Sequence, residues 1–244
     1  MSAVMLITGG GRGIGAATAR LAAKQGYRVC VNYRADERSA RQLAEQIGHN
    51  AIAVQGDVSI EADVLRIFRE TEKLGPLAVL VNNAGIVDRS SRVENLTAER
   101  IQRMLAINVT GSFLCAREAV KRMSTRHGGK GGAIVNVSSM AAKFGGAGDY
   151  VDYAASKGAI DTLTIGLAKE VGAEGIRVNA VRPGVIRTEI HATSGDPGRV
   201  ERIGATAALQ RGGDAEEVAR AILWLASAEA SYITGALLDV SGGR

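Results

Sequence analysis

Tyr153 and Lys157 stand four residues apart in the run Tyr153-Ala154-Ala155-Ser156-Lys157. On a helix, side chains at i and i+4 share one face, so this spacing brings a phenol and an ammonium into the same space. A free tyrosine titrates near roughly 10 and is a poor proton donor or acceptor at neutral pH. A fixed positive charge about 5 Å away, at an effective dielectric of about 20, favours the phenolate by roughly 3 kcal/mol, or about two pKa units. The expectation is a tyrosine drawn by its lysine toward the range of efficient general acid-base catalysis. A surface Tyr and Lys on an amphipathic helix have the same spacing, so the pair needs support from the rest of the chain.

A second cluster with chemistry in it is Gly9-Gly10-Gly11-Arg12-Gly13-Ile14-Gly15. It follows the apolar run Val4 to Thr8 and precedes the helical spacing of Ile14, Thr18, Leu21 and Ala22, which reads as strand, turn, helix. Glycines let the chain reach positive φ and let a phosphate approach backbone amides at a helix N-terminus, where the dipole favours an anion. Turns collect glycine for steric reasons alone, but in this setting the pattern predicts a dinucleotide site. The next strand ends Asn32-Tyr33-Arg34, without the acid that usually meets a ribose 2′-hydroxyl. Arg34 with Arg12 can grip a 2′-phosphate, which favours NADP(H) over NAD(H). Asp36 and Glu37 compete for that role, but they fall where the following helix should start and suit its N-terminus.

The elements that must position these groups alternate along the chain. Strands are expected at Val4 to Thr8, Tyr27 to Tyr33, Ala51 to Val54, Leu77 to Val81, Ala133 to Val137, Arg177 to Val181 and Leu237 to Val240. Helices are expected at Ile14 to Gln25, Ser39 to Ile47, Glu61 to Lys73, Ala98 to about Arg126, the segment bearing Tyr153 and Lys157, and Glu216 to Ala226. Seven strands with six intervening helices predict an α/β fold: one Rossmann-type domain over residues 1–244, a doubly wound seven-stranded parallel sheet with helices on both faces. Ligands of such sheets sit beyond the carboxyl ends of the strands. Thr8 and the glycines, Asn82 to Gly85, Ser138-Ser139 and Pro183-Gly184 all follow strands at that edge.

Composition narrows the partners. The net charge is +5, yet arginines are interleaved with acids, as in Arg34-Ala35-Asp36-Glu37-Arg38, and no basic stripe with aromatics appears, which argues against nucleic acid. Cys30 and Cys115 sit in apolar runs and read as buried thiols in a reducing compartment. His49, His127 and His191 lie far apart without zinc-ligand spacing, so no metal is expected. No leader or membrane-spanning run is recognisable, and a soluble cytoplasmic protein is expected.

Taken together, these motifs resemble the short-chain dehydrogenase/reductase family over nearly the whole chain and in the family's order. Gly9-x-x-x-Gly13-x-Gly15 is similar to its glycine loop, Asn82-Asn83-Ala84-Gly85 to its central motif, and Asn108 to the Asn of its long helix. Ser139, Tyr153 and Lys157 resemble its catalytic Ser and Tyr-x-x-x-Lys, and Pro183-Gly184 with Thr188 its segment after the sixth strand. Two departures stand out. Ser139 is one residue further from Tyr153 than the family spacing, which keeps Ser138 as an alternative, and Val240-Ser241-Gly242-Gly243 lacks the Asp often found before the glycine pair.

The resemblance implies hydride transfer between a nicotinamide and a carbonyl carbon, in a small substrate such as a 3-oxoacyl thioester, a sugar or a related ketone. It implies that Tyr153 donates the proton, Lys157 lowers the Tyr153 pKa and holds the nicotinamide ribose, Ser139 orients the carbonyl, and Asn108 holds a relay water. For cofactor contact it implies Gly9, Gly11, Arg12, Gly13, Ile14, Gly15 and Arg34, then Asp57 and Val58 at the adenine, Asn83, Ala84 and Gly85 beside the adenosine, and Pro183, Gly184, Ile186 and Thr188 at the carboxamide. Asp57 can instead cap the next helix. The polar, turn-rich stretch Glu189 to Gly213 reads as a lid, and Arg89 and Arg92 as solvated arginines or attractors of an anionic substrate. The family also implies a homo-oligomer, a tetramer, joined through the long helices Ala98 to Arg126 and Tyr153 to Val171, whose Ala155, Gly158 and Ala159 permit close contact. An NAD-linked alcohol or sugar dehydrogenase, and a non-catalytic nucleotide sensor on the same fold, are the competing functions.

Overall fold

Successive residues of the first strand serve opposite cores. Met5 and Ile7 pack with Ala16, Ala19, Leu43, Val218 and Ile222, whereas Val4 and Leu6 pack with Val64, Ile67, Phe68, Cys115 and Val171. This is the period of a pleated strand covered on both sides. The computed structural model, which describes residues 3–189, 196 and 198–244, builds that arrangement into a seven-stranded sheet. Its strands are β1 (Val4–Ile7), β2 (Arg28–Tyr33), β3 (Ala51–Gln55), β4 (Leu77–Asn82), β5 (Gly132–Val137), β6 (Ile176–Pro183) and β9 (Leu237–Val240), all parallel, in the order β3-β2-β1-β4-β5-β6-β9. Two short strands, β7 (Ile186–Arg187) and β8 (Gly213–Asp214), pair apart from it.

Helices α1 (Gly13–Lys24) and α2 (Glu37–Ile47), with the helix Ala215–Ala226, contribute to the first core. Helices α3 (Glu61–Glu72), α5 (Gly111–Met123) and α7 (Val151–Val171) contribute to the second, and the single turn α6 (Ala141–Phe144) lies between β5 and α7. The chain leaves β1 toward β2 and β3 and returns to add β4 on the other side, so strand order reverses between β1 and β4. The crevice at that reversal is where an open parallel sheet holds its ligands.

Two expected elements differ in detail. The continuous helix expected from Ala98 to Arg126 is α4 (Ala98–Leu105) and α5 joined through a π-helical turn, Ala106–Thr110, and its last residues form the separate turn Thr125–His127. The cause lies at Asn108, whose side chain is drawn onto the backbone of Ile86, while Ser112 Oγ donates to Asn108 O at 2.9 Å; such π-turns often mark functional sites. Helix α2 starts at Glu37 rather than Ser39 because Asp36 accepts from Ser39 N at 3.0 Å, the N-terminal role expected for that acid. Within the expected lid, residues 190–195 and 197, including His191, Gly195 and Pro197, lie outside the described residues.

Candidate active site

Thr8, one residue past β1, ties the two sides of the crevice together. Its hydroxyl accepts from Asn83 N and Ala84 N, both at 3.0 Å, and Asn83 Nδ2 donates to Thr8 O and Gly9 O at 2.8 and 2.9 Å. Gly9 adopts a φ of 60°, and a side chain there would stand 2.9 Å from Ala84 Cα. The glycine turn and the Asn83-Ala84-Gly85 segment are thus held backbone against backbone, which a Cβ would prevent. Gly15 governs how closely α1 packs on this turn. It is buried, and an added Cβ would meet Asn83 Nδ2 at 2.6 Å, so its missing side chain lets α1 approach the crevice.

One cavity of about 670 Å³ runs from this turn in both directions. At one end it is lined by Arg12, Arg34, Asp36, Asp57 and Val58. Asn32 shapes this end from beneath: it is buried, accepts from Gly9 N at 3.3 Å and donates to Gly56 O at 3.0 Å, which joins the loops after β1 and β3. Asp57 lines the cavity and does not cap α3, which begins at Glu61 behind the N-cap Ile60. It accepts from the backbone and hydroxyl of Ser59 at 2.9 and 2.6 Å ahead of α3, and its other oxygen lies 3.6 Å from Arg34 Nη1. Two guanidiniums therefore flank this end of the cavity, and the nearby carboxylate of Asp36 is held at the α2 N-terminus.

At the other end the cavity is lined by Ser139, Tyr153, Lys157, Pro183, Gly184, Ile186 and Thr188. The Ser139 hydroxyl accepts from Ala141 N at 3.1 Å and stands near enough to the Tyr153 phenol to favour its ionised form. Ser138, the alternative, also reaches the cavity, but its hydroxyl donates to Lys157 O at 3.2 Å. Lys157 Nζ lies 5.7 Å from the Tyr153 ring centroid and donates to Val137 O at 2.7 Å. Helix α7 therefore brings the expected pair onto one wall.

The expected electrostatic result does not follow. Burial raises the Tyr153 pKa above its ordinary value, the Ser139 hydroxyl opposes it, and a negative charge on Tyr150 would add to the rise. Burial also lowers Lys157 to about 8, opposed by the Asp161 carboxylate. Loss of solvent disfavours the phenolate more than the Ser139 hydroxyl favours it. Tyr153 is accordingly a neutral phenol at pH 7, the form that donates a proton.

Asn108 is buried and stands behind the cavity wall. Its amide nitrogen donates to Ile86 O and Ser156 Oγ at 3.0 Å, and its oxygen accepts from Ile86 N at 2.8 Å. This fixes the segment leaving β4 against α7 beside Gly85, where an added Cβ would lie 3.4 Å from Asn108 Oδ1 and 3.5 Å from Lys157 Nζ.

Several cavity residues had no signal in the sequence, among them Phe144, Asp149, Tyr150, Arg199 and Arg244. The Tyr150 ring meets the Tyr153 ring edge-on at 6.4 Å between centroids. Arg89 and Arg92, the arginines weighed for substrate attraction, are exposed and lie outside the cavity lining. Among the described residues no group of three or more His, Cys, Asp or Glu side chains could hold a metal ion, and no helix is long and apolar enough to cross a membrane.

A long cavity with two arginines at one end, close-packed glycines at its centre and a phenol-lysine pair at the other fits an extended dinucleotide and defines a Rossmann-type oxidoreductase. Comparisons with known proteins agree. Residues 9–244 match the family model described as enoyl-(acyl carrier protein) reductase. The uncharacterized oxidoreductase YgfF of Escherichia coli is 58% identical, over 99% of this chain and all of its own length. Versicolorin reductase 1 of Aspergillus parasiticus is 36% identical over 98% of this chain and 95% of its own. Among solved structures, 3-ketoacyl-(acyl-carrier-protein) reductase from Brucella melitensis complexed with NADH superposes with a TM-score of 0.93 at 34% identity, over 99% of this chain and 98% of the other. ElxO with NADP bound gives 0.89 at 34% identity, over 100% and 98%. The chain belongs to the short-chain dehydrogenase/reductase family.

Proposed function

We propose that the protein is an NADP(H)-dependent reductase of a small carbonyl compound, with Tyr153 as the proton donor. The observation that carries this reading is the convergence of Ser139, Tyr153 and Lys157 on one wall of the cavity that Arg12 and Arg34 flank at the other end. When bound, the nicotinamide supplies the hydride that reduces the carbonyl carbon. Ser139 and Tyr153 hold the carbonyl oxygen between two hydroxyls, which stabilise negative charge as it grows on that oxygen. The phenol then gives up its proton to the oxygen, and Lys157 supports the phenolate that remains.

Lys157 also holds the nicotinamide ribose, with Pro183, Gly184, Ile186 and Thr188 along the carboxamide side. Asn108 is a positioning residue whose amide fixes Ile86. A water relay at this residue uses its backbone carbonyl, which already accepts from Ser112. Arg12 and Arg34 take the 2′-phosphate, Asp57 and Val58 the adenine, and Gly9, Gly11, Gly13, Ile14, Asn83, Ala84 and Gly85 frame the pyrophosphate and adenosine. The titles of structural relatives name NADH, NADPH and NADP, so the choice between cofactors rests here on the two arginines. The protein acts as a homo-oligomer in the cytoplasm, joined through α4, α5 and α7.

The test is loss of reduced-nicotinamide absorbance with a panel of ketones, acyl thioesters and sugars, with NADPH and NADH compared. Tyr153→Phe is expected to lower kcat by about 10²- to 10⁴-fold with NADPH affinity nearly unchanged. Turnover that survives this change would remove the tyrosine from its role.

A further inference from the structure

The end of the cavity beyond Tyr153 carries charge that the proton-transfer set does not use. Arg199, first residue of the helix Arg199–Gly204, donates to Asp149 Oδ2, and its guanidinium carbon stands 4.6 Å from the Tyr150 ring centroid. Its side chain is only 16% exposed. Arg244 approaches the same space with its guanidinium carbon 5.1 Å from the Phe144 ring centroid. Asp149 pairs with Arg199, and Arg244 takes part in no ion pair among the described residues. Arg244 is exposed overall, but partial loss of solvent lowers its pKa, the Arg199 charge lowers it further, and the Asp149 carboxylate opposes both. Counted by side chains, two guanidiniums stand against one carboxylate here.

The surroundings limit what could use that charge. Tyr150 joins the Arg199 guanidinium to the Tyr153 ring through separations of 4.6 and 6.4 Å. Met140, Val185 and Ile203 line the cavity nearby and offer apolar surface. A guanidinium fork matches a carboxylate or phosphate with two parallel hydrogen bonds. Resting on the carbonyl-reductase reading, we infer that the substrate carries a carboxylate or phosphate a short apolar spacer away from its carbonyl. Arg244 receives that group, and Arg199, held by Asp149 and Tyr150, stands behind it. Two arginines flanking an unreduced anionic tail would make this end of the site selective for charged over uncharged ketones.

Dicarboxylates test this without requiring turnover. Malonate, glutarate and adipate, with their dimethyl esters as uncharged counterparts, are titrated by calorimetry into the NADP⁺-saturated protein. At least one diacid is expected to saturate a single site and to weaken with added salt, with its ester at least about tenfold weaker. Arg244→Gln is expected to weaken the diacid about tenfold or more, and Arg244→Lys, which keeps charge but loses the fork, by less. Circular dichroism and the thermal midpoint confirm that both variants fold. Diacids that fail to bind, esters that bind equally well, or an Arg244→Gln protein with unchanged diacid affinity would overturn the inference. Repeating the titration without NADP⁺ in an Arg34→Ala background removes the competing anion site at the other end. NADPH affinity and turnover of uncharged ketones report on the reductase reading, and diacid affinity reports on this one, so either can fail alone.

Discussion

At the scale of single residues, the site depends on a phenol kept neutral and a lysine kept charged in the same enclosed space. Lys157, lowered to about 8, carries its proton at pH 7 and loses it as pH rises past that value. The reductive kcat/KM is therefore expected to be level below about pH 8 and to fall roughly tenfold per unit above it. Asp161, one helical turn beyond Lys157 on α7, opposes the downward pull of burial. Its Oδ2 lies 3.5 Å from Arg182 Nη1, and its Oδ1 is buried without a hydrogen-bond partner. Asp161→Asn should move the break in the profile to lower pH; an unmoved break, or a wild-type profile level to pH 9.5, would detach the lysine from the rate. Arg34 belongs to the same scale. A charge-assisted bond contributes about 1.5–3 kcal/mol, so Arg34→Ala is expected to weaken NADPH by about 10- to 100-fold. NADH should be much less affected, and equal losses for the two cofactors would contradict the 2′-phosphate assignment.

At the scale of elements, the crevice depends on how closely α1 can approach the segment after β4. An alanine Cβ at Gly15 would lie 2.6 Å from Asn83 Nδ2 and 2.7 Å from Gly9 O. Overpacking of this kind costs about 1–3 kcal/mol. Gly15→Ala is expected to lower the thermal midpoint by several degrees, about 2–4 °C per kcal/mol for a chain of this size, and to weaken NADPH by displacing Asn83. A midpoint within a degree of wild type would show that the contact relaxes freely. The strands were legible as apolar runs ending in glycine or polar residues, because a sheet covered on both faces requires continuous apolar sequence. The break between α4 and α5 was not, because one extra residue in a turn hardly alters apolar periodicity and its cause, the Asn108 bond to Ile86, comes from another element. Arg199 and Arg244 were hidden for the same reason. They lie 45 positions apart in turn-rich sequence and converge only through Tyr150 and Phe144. The Tyr153-Lys157 pair was legible as a spacing, but the direction of the Tyr153 shift was not, since burial is a property of the folded chain.

At the scale of the whole molecule, the faces of α4, α5 and α7 away from the sheet keep large apolar side chains in solvent. Leu105 is 41% exposed, Phe113 50% and Ile165 39%. Gly158 and Gly166 lie on α7, where an added Cβ would meet nothing within 4 Å. In an isolated chain, replacing such a helical glycine by alanine stabilises by roughly 0.5–1 kcal/mol. Against a second copy packed closely on α7 the same Cβ would clash, so the sign of the change reports on whether that face is covered. The expected outcome is a light-scattering mass several times the 25.4 kDa of one chain, reduced to a single chain by Phe113→Asp. Gly158→Ala should then destabilise the wild-type assembly but stabilise the Phe113→Asp monomer, since only the assembly has a partner helix for the new methyl to strike. A single-chain mass for the wild-type protein, or a stabilising Gly158→Ala in both backgrounds, would leave these helices as ordinary solvated surface. In that event the apolar side chains on α4 and α5 would need a different partner to account for them.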